Sequence, residues 1–432
     1  MFQNISQGQH TTSTTMMPGI QESVRNVSSR AFNLVGLGQP VEVTDLRPAW
    51  DALLTDRDNL YLQYQSPQWW DHLNASGQGG STKLLALQTA TGVAGIVPLQ
   101  TVVGSINLVP VRSLHFNVSI ACADVLGGQP LLPVDSDVAQ GMFKSIFASL
   151  PGIQAVYFKS VPDTSAWYDT LIDAANKSKG CFPHITREEM FHSLTIPETF
   201  DGFLQRFPAK KRYNLKRQVR LMEEASNGQL RLATITRADQ VDDFLAAATD
   251  IAAGSWKNHS VTLPLARTAD NRALYADLAR RGLLRAYVLR SGETAVACAL
   301  GYQFETVYHY ADTAHLDREM RLSPGMVLLL LIVRDLIENT RIRRLNFGIG
   351  DDDYKRQFAD RHTRDRTIWV MRSSLRNRLI CAVHSAIATA LRGAKKMHGV
   401  QWLRNARLIK HLGRCGSPHN AIGTGLNRGE RP

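Results

Sequence analysis

The sequence predicts a mixed α/β protein built from two similar domains lying side by side. Three observations carry this reading. Strand-like apolar runs alternate with helical segments along most of the chain. The order helix, hairpin, third strand, helix, strand occurs twice. Both hairpins turn at a glycine with Val-Ala close behind it: Gly92 then Val93-Ala94, and Gly292 then Val296-Ala297.

Residues 1–40 carry only Glu22, Arg25 and Arg30 as charges and show no sustained periodicity, so we expect a disordered N-terminal segment. The first domain is expected over 41–185. Asp45 precedes a short helix over 46–54, and Ser66-Pro67 opens another through Trp69, Trp70 and Leu73. Runs 83–89 and 93–103 form a hairpin across Thr91-Gly92. A third apolar stretch ends near Phe116, a helix runs from Asp135 or Ser136 to Leu150, and 153–159 returns as a strand.

The second domain is expected over 186–373. Helices are predicted at 209–225, 238–253 and 268–281, and strands at 229–235, 284–290, 294–304 and 306–314. Ser323-Pro324-Gly325 opens a long apolar helix to about Asn339, with Ser323 as its cap and Pro324 in its first turn. Strands at 343–348 and 365–372 close the domain, and 374–432 is a basic, amphipathic tail.

Of 432 residues, 50 are Lys or Arg and 38 are Asp or Glu, a net charge of +12. Twelve of the basic residues and a single acid, Glu430, lie within 372–432, so the body of the chain is close to neutral. Uniform nucleic-acid binding is therefore not what the charge suggests. No apolar run approaches the roughly 20 residues needed to span a bilayer. No signal-peptide pattern is present, and five scattered cysteines give no disulfide framework, so a cytoplasmic location is expected. No H-E-x-x-H, P-loop or G-x-S-x-G motif occurs, and no metal is expected. His309 with Asp312, and His315 with Asp317, read as polar residues on a strand and its loop.

Chemistry concentrates between Tyr308 and Phe358. A strand leads to Arg321-Leu322-Ser323-Pro324-Gly325 at a helix N-terminus, where free N–H groups and the dipole favour an anion. Downstream, Gly348-Ile349-Gly350-Asp351-Asp352-Asp353-Tyr354-Lys355 joins a strand end to a helical turn. A third cluster, Arg206 to Arg220, holds seven basic residues and no acid: either a solvated helix face or a phosphate-contacting stripe.

Together, Lys211-Arg212-Tyr213-Asn214-Leu215-Lys216-Arg217, Ser255-Trp256-Lys257, Leu322-Ser323-Pro324-Gly325 and Gly350-Asp351-x-x-Tyr354-Lys355 resemble the CelD-like branch of the GNAT acyltransferases. That branch is linked to cellulose and exopolysaccharide biosynthesis and is related in fold to the FemAB peptidyltransferases. The resemblance implies tandem GNAT-like domains, each a mostly antiparallel twisted sheet flanked by helices, the first one degenerate. It implies transfer of an acyl group, other than an aminoacyl group, from acetyl-CoA or another acyl-CoA. The acceptor would be the amine or hydroxyl of a sugar, glycan or lipid-linked precursor. Arg321, Ser323, Gly325 and Met326 would hold the cofactor, and Asp351 would be the base, with Tyr354 and Lys355 beside it. Trp256, Lys257 and Asp312 would line the acceptor side. The glycine-poor loop and the basic stripe keep an aminoacyl-tRNA donor, as in FemAB relatives, as the alternative; a non-catalytic scaffold of a polysaccharide-synthesis complex is another. The tail would give peripheral membrane contact.

Overall fold

The computed structural model describes residues 31–36, 43–55, 59–78, 82–111, 114–255 and 263–397. Helices α1 (Val43–Leu54) and α2 (Pro67–Leu73) lead into strands β2 (Thr82–Thr89), β3 (Gly92–Val111) and β4 (Leu114–Val125). These are followed by α3 (Ser136–Ser149), β5 (Ala155–Pro162), α4 (Ala166–Lys177) and β6 (Cys181–Thr195). Before them, Ala31–Gly36 pairs with β2 as an edge strand, β1, where the sequence suggested disorder.

After α5 (Phe200–Gln205), α6 (Ala209–Ala225) and β7 (Leu230–Ile235), the order repeats. Helices α7 (Val241–Ala253) and α8 (Ala269–Arg280) precede β8 (Ala286–Ser291), β9 (Thr294–Phe304) and β10 (Val307–His315). Then come α9 (Pro324–Asn339), β11 (Arg344–Ile349), α10 (Asp353–Phe358) and β12 (Arg361–Arg372), with α11 (Leu375–Met397) last.

The two repeats do not stand apart. They form one sheet in the order β1-β2-β3-β4-β5-β12-β6-β11-β10-β9-β8-β7. The last strand of each repeat is exchanged: β6 pairs with β11 of the second repeat, and β12 pairs with β5 of the first. Twelve register pairs, from Arg361/Ser193 to Arg372/Cys181, join β6 to β12 at the centre. The boundary expected at 185/186 falls inside β6. Among the described residues, only β4/β5 and β10/β11 run parallel, each bridged by a crossover helix, α3 or α9, as parallel pairing requires.

Helices cover both faces. Helix α9 buries Val327, Leu328, Leu329, Leu330, Ile332, Val333 and Leu336 against Tyr308, Phe347 and the face of α6 carrying Leu215 and Met222. Each such aliphatic side chain removed from water contributes roughly 1.5–3 kcal/mol, an upper estimate because the unfolded chain also collapses. Across the sheet, α7 and α8 pack on β8 and β9, and Trp69 and Leu73 of α2 join that cluster. The His72–Asp277 contact (2.8 Å) also ties α2 to the second repeat. The four described cysteines are free thiols. Among the described residues, no helix is long and apolar enough to cross a membrane.

Candidate functional site

The parallel pair β10/β11 is in register only at Val307/Arg344, Tyr308/Leu345 and His309/Asn346. Beyond those three pairs the strands part. Each carries a register shift just past the last pair, between Tyr310 and Asp312 against β9 and between Asn346 and Gly348 against β6. A bulge of this kind bends a strand and re-aims its groups. Gly348 (φ 71°) and Gly350 (φ 109°) carry β11 through a backbone path that a side chain disfavours.

Helix α9 starts beside this opening. Ser323 adopts the left-handed conformation (φ 54°, ψ 53°), and its side chain makes no capping bond. The expected serine cap is therefore corrected: its hydroxyl lies 3.4 Å from Gln218 Nε2 on α6 instead. The first turn holds no acidic residue. A Cβ on Gly325 would meet His315 Nδ1 at the end of β10 at 3.4 Å, so a longer side chain there would lie against that ring. Met326 packs against the apolar cluster, while Arg321 is exposed at the end of the 3-10 turn Asp317–Leu322. The equivalent helix of the first repeat differs in one decisive respect. The carboxylate of Asp135 accepts the Val138 N–H of α3 at 2.9 Å, and Asp137 lies in its first turn. An anion is already built into α3; α9 has none.

At the end of β11, Asp351 is half-exposed. Its Oδ1 lies 2.7 Å from Arg356 Nη1 and 3.3 Å from Nε2 of His192 on β6. The Arg356 hydrogen bond, ahead of the smaller effects, holds its carboxyl below the usual carboxylate range. Buried His192 in turn places Nδ1 2.7 Å from Nδ1 of His362 on β12, which is exposed. At 3.3 Å Nε2 of His192 is within ion-pair range of Asp351 but makes no hydrogen bond; when its Nδ1 accepts from His362, Nε2 of His362 is left with its lone pair outward.

Tyr354 turns its ring onto Tyr310 and Phe347, with centroids 6.5 and 6.2 Å away. Lys355 is buried, donates to the Ile349 carbonyl at 2.6 Å and lies 3.9 Å from Asp352 Oδ2, locking α10 to the strand end. Asp312 is buried near the phenols of Tyr275 and Tyr302, which burial first, and Asp312 second or further down, push up. Trp256 and Lys257 lie outside the described residues. Gln63 Nε2 donates to His309 Nδ1 at 2.9 Å, with the His309 ring between those of Tyr61 and Tyr64. Burial, followed by Lys355 and Lys159, pushes its pKa down to about 3, so it stays a neutral imidazole. Among the described residues, no group of three or more His, Cys, Asp or Glu is placed to hold a metal.

Sequence reading thus brings Asp351, Tyr354 and Lys355 together with Gly348 and Gly350. It missed His192, His362, Tyr61 and Gln63, because β6 and the turn Leu62–Gln65 were not expected as elements. The histidines themselves were the available signal.

Residues 209–356 match the family model described as an acetyltransferase (GNAT) domain. No curated protein matches the sequence. Among solved structures, FemX superposes with a TM-score of 0.53 at 11% identity, covering 75% of this chain and 96% of FemX. The C-terminal domain (DUF2156) of a protein named as a lysylphosphatidylglycerol synthetase, from Agrobacterium fabrum, gives 0.47 at 12% identity, covering 81% and 97%. A tandem GNAT protein from the clavulanic acid biosynthesis pathway gives 0.41 at 10%, covering 80% and 99%. The expectation that aminoacyl groups are excluded is corrected: the chain shares its fold with FemX, so that exclusion does not stand. The fold is a mixed α/β, mostly antiparallel sheet flanked by helices, and residues 209–356 are similar to an acetyltransferase (GNAT) domain.

Proposed function

We propose that the protein transfers an acyl group from a phosphate-bearing carrier, acyl-CoA first, to an amine or hydroxyl of a sugar, glycan or lipid-linked precursor. The carrying observation is the parting of β10 and β11 beside an acid-free, side-chain-uncapped helix N-terminus at Ser323–Met326. The anionic carrier binds at Arg321, Ser323, Gly325 and Met326, where backbone N–H groups meet its phosphates. The acyl carbonyl lies along the parted strands, where backbone donors stabilise the developing oxyanion. The acceptor attacks the carbonyl carbon, the bond to the carrier breaks, and the acceptor's proton passes to His362. Asp351, too acidic to take that proton efficiently at neutral pH, orients His192 and through it His362. The thiolate or alkoxide of the carrier leaves with a proton.

An aminoacyl-tRNA donor is the second reading, favoured by the exposed Lys216, Arg217 and Arg220 on α6, the helix that meets the α9 N-terminus through Gln218. Calorimetric titration with coenzyme A tests the choice. Micromolar binding supports acyl-CoA; no binding, with tight and salt-sensitive binding of charged tRNA, moves the donor to tRNA and sinks the first reading. The location we propose is cytoplasmic, with peripheral membrane contact near the C-terminus.

A further inference from the structure

The first repeat also has a parallel pair, β4/β5, paired from Cys122/Ala155 to Val125/Phe158 and no further. Its opening is closed to a phosphate-bearing carrier. The loop after β4 lies directly on the end of β5, so close that a Cβ on Gly128 would fall 2.0 Å from the Lys159 carbonyl oxygen. The segment Asn59–Gln65 fills it from the other side, with Gln65 Nε2 donating to the Gln129 carbonyl at 2.5 Å. The α3 N-terminus carries its own carboxylate, Asp135.

What remains between this plug and β12 is a cavity of about 430 Å³. Leu131 and Trp167 give it apolar wall, while Tyr61, Ser160, Thr363 and Asp365 give it polar wall. Asp365 is 3% exposed. Its Oδ2 accepts from Ser160 Oγ at 2.5 Å and its Oδ1 from Thr363 Oγ1 at 2.8 Å. The Tyr61 hydroxyl lies 3.3 Å from Ser160 Oγ. Ser160 holds this position from a left-handed backbone (φ 56°), a conformation that disfavours a non-glycine residue.

Asp163 and Glu189 are like-charged neighbours of Asp365, Arg344 and Arg361 also line the cavity, and the contacts seen on the Asp365 carboxylate are the two hydroxyls. Burial, with these neighbours against the two hydroxyl donors, leaves its pKa up at about 6. A carboxylate offers about four acceptor directions, and the two hydroxyls use two. A ligand's ammonium would neutralise a charge that is costly to bury alone. Hydroxyls and ring faces around it suit a small polyol skeleton, in a volume within the usual range of ligand pockets.

We propose that this cavity is a second ligand site, binding a small primary amine that also carries hydroxyl groups, of amino-sugar or amino-alcohol type, with its ammonium on Asp365. The site is independent of the acyl-transfer reading. The test is calorimetry on the full chain with two matched probe pairs, D-glucosamine against D-glucose and ethanolamine against ethylene glycol. At least one amine should bind about tenfold or more tightly than its hydroxyl counterpart, the worth of one charge-assisted hydrogen bond. Asp365→Asn should remove that preference. Should Asp365→Asn not fold, Val134→Trp at the exposed rim of the cavity should block both amines and leave the thermal midpoint nearly unchanged. No binding of either amine, equal binding within each pair, or undiminished amine binding in both variants overturns the proposal. Coenzyme A affinity, read in the same variants, should not move; its loss in wild type would sink only the transfer reading.

Discussion

Nδ1 of His192 and Nδ1 of His362 stand 2.7 Å apart on neighbouring strands, directly opposite in register, with His192 buried and His362 exposed. Two such nitrogens can share only one proton, so the protonation of one ring fixes the other. Burial first, then His362, lowers the pKa of His192, with Asp351 opposing. His192 therefore stays neutral to lower pH than an ordinary histidine and can accept the hydrogen bond from His362. We predict that His362→Asn lowers kcat by about 10²–10³ while coenzyme A affinity is unchanged. The wild-type pH–kcat profile should show an acidic limb that vanishes in the variant; an unaltered limb would remove His362 from the reaction.

The same burial has a stability consequence of definite sign. Below about pH 6.5 the unfolded chain protonates His192 and the folded chain resists, so stability declines as pH falls through that window. His184, whose pKa burial and then His384 push down to about 4, acts in the same direction. Asp365, held up at about 6, acts in the opposite direction over this window, so the difference between proteins is the test: the change in urea midpoint from pH 7 to pH 5 should be less destabilising in His184→Gln than in wild type. An identical pH dependence in the two proteins would show that the His184 ring is not held neutral by the fold.

Asp351 acts through its neighbours rather than alone. Arg356 Nη1 reaches its carboxylate at 2.7 Å and also donates to its backbone carbonyl at 2.6 Å. Asp351→Asn should lower kcat with cofactor affinity intact. Added to His362→Asn it should cost little more, because residues acting as a unit are not additive. Full additivity in the double variant would separate the two residues.

The α9 N-terminus gives a prediction with opposite effects at adjacent positions. Ser323 holds a left-handed backbone at about 1 kcal/mol or more, so Ser323→Gly should stabilise the fold by up to about 1 kcal/mol, read as a higher urea midpoint. Gly325→Leu would place its side chain against His315 and across the helix terminus. Coenzyme A affinity should drop about tenfold or more there, with little change in midpoint, as expected when backbone approach to an anion is blocked. Equal affinity in Gly325→Leu would remove this terminus from the donor site.

The contrast between α9 and β6 explains what the sequence could show. Seven aliphatic residues behind Ser-Pro-Gly leave α9 little choice, and its bounds match the expectation within a residue. In β6, Pro183 and Glu188-Glu189 break any alternation, and its pairing partners lie far along the chain in β11 and β12. The charged start of β12 likewise read as loop; in the fold Arg364 and Arg366 reach Glu188 across the strand pair at 3.7 and 2.6 Å. The helix of the first repeat over Ala166–Lys177 was missed as well. Exchange of β6 and β12 is a long-range choice, invisible to local pattern, and it is what assembles His192, His362 and Asp365. Motif spacing could gather Asp351, Tyr354 and Lys355, but their roles depend on Arg356, Tyr310 and the Ile349 carbonyl.

Helix α11 divides into two unlike faces. Ile380 and Cys381 pack with Trp369 and Met371 of the central strands, whereas Leu375, Leu379, Val383 and Leu391 are 87, 64, 37 and 42% exposed. Arg376 and Arg378 stand beside this outward face, and the basic residues beyond 397 lie outside the described residues. An apolar stripe flanked by basic residues suits the surface of an anionic bilayer, where each basic residue contributes about 1 kcal/mol at low salt. The protein should co-sediment with vesicles containing phosphatidylglycerol and release as salt rises. Deleting 395–432 should remove most of this binding, and Leu375→Glu with Leu379→Glu should weaken it further without altering coenzyme A affinity. Equal binding to uncharged vesicles, or by the truncated protein, would refute a membrane role for this end of the chain.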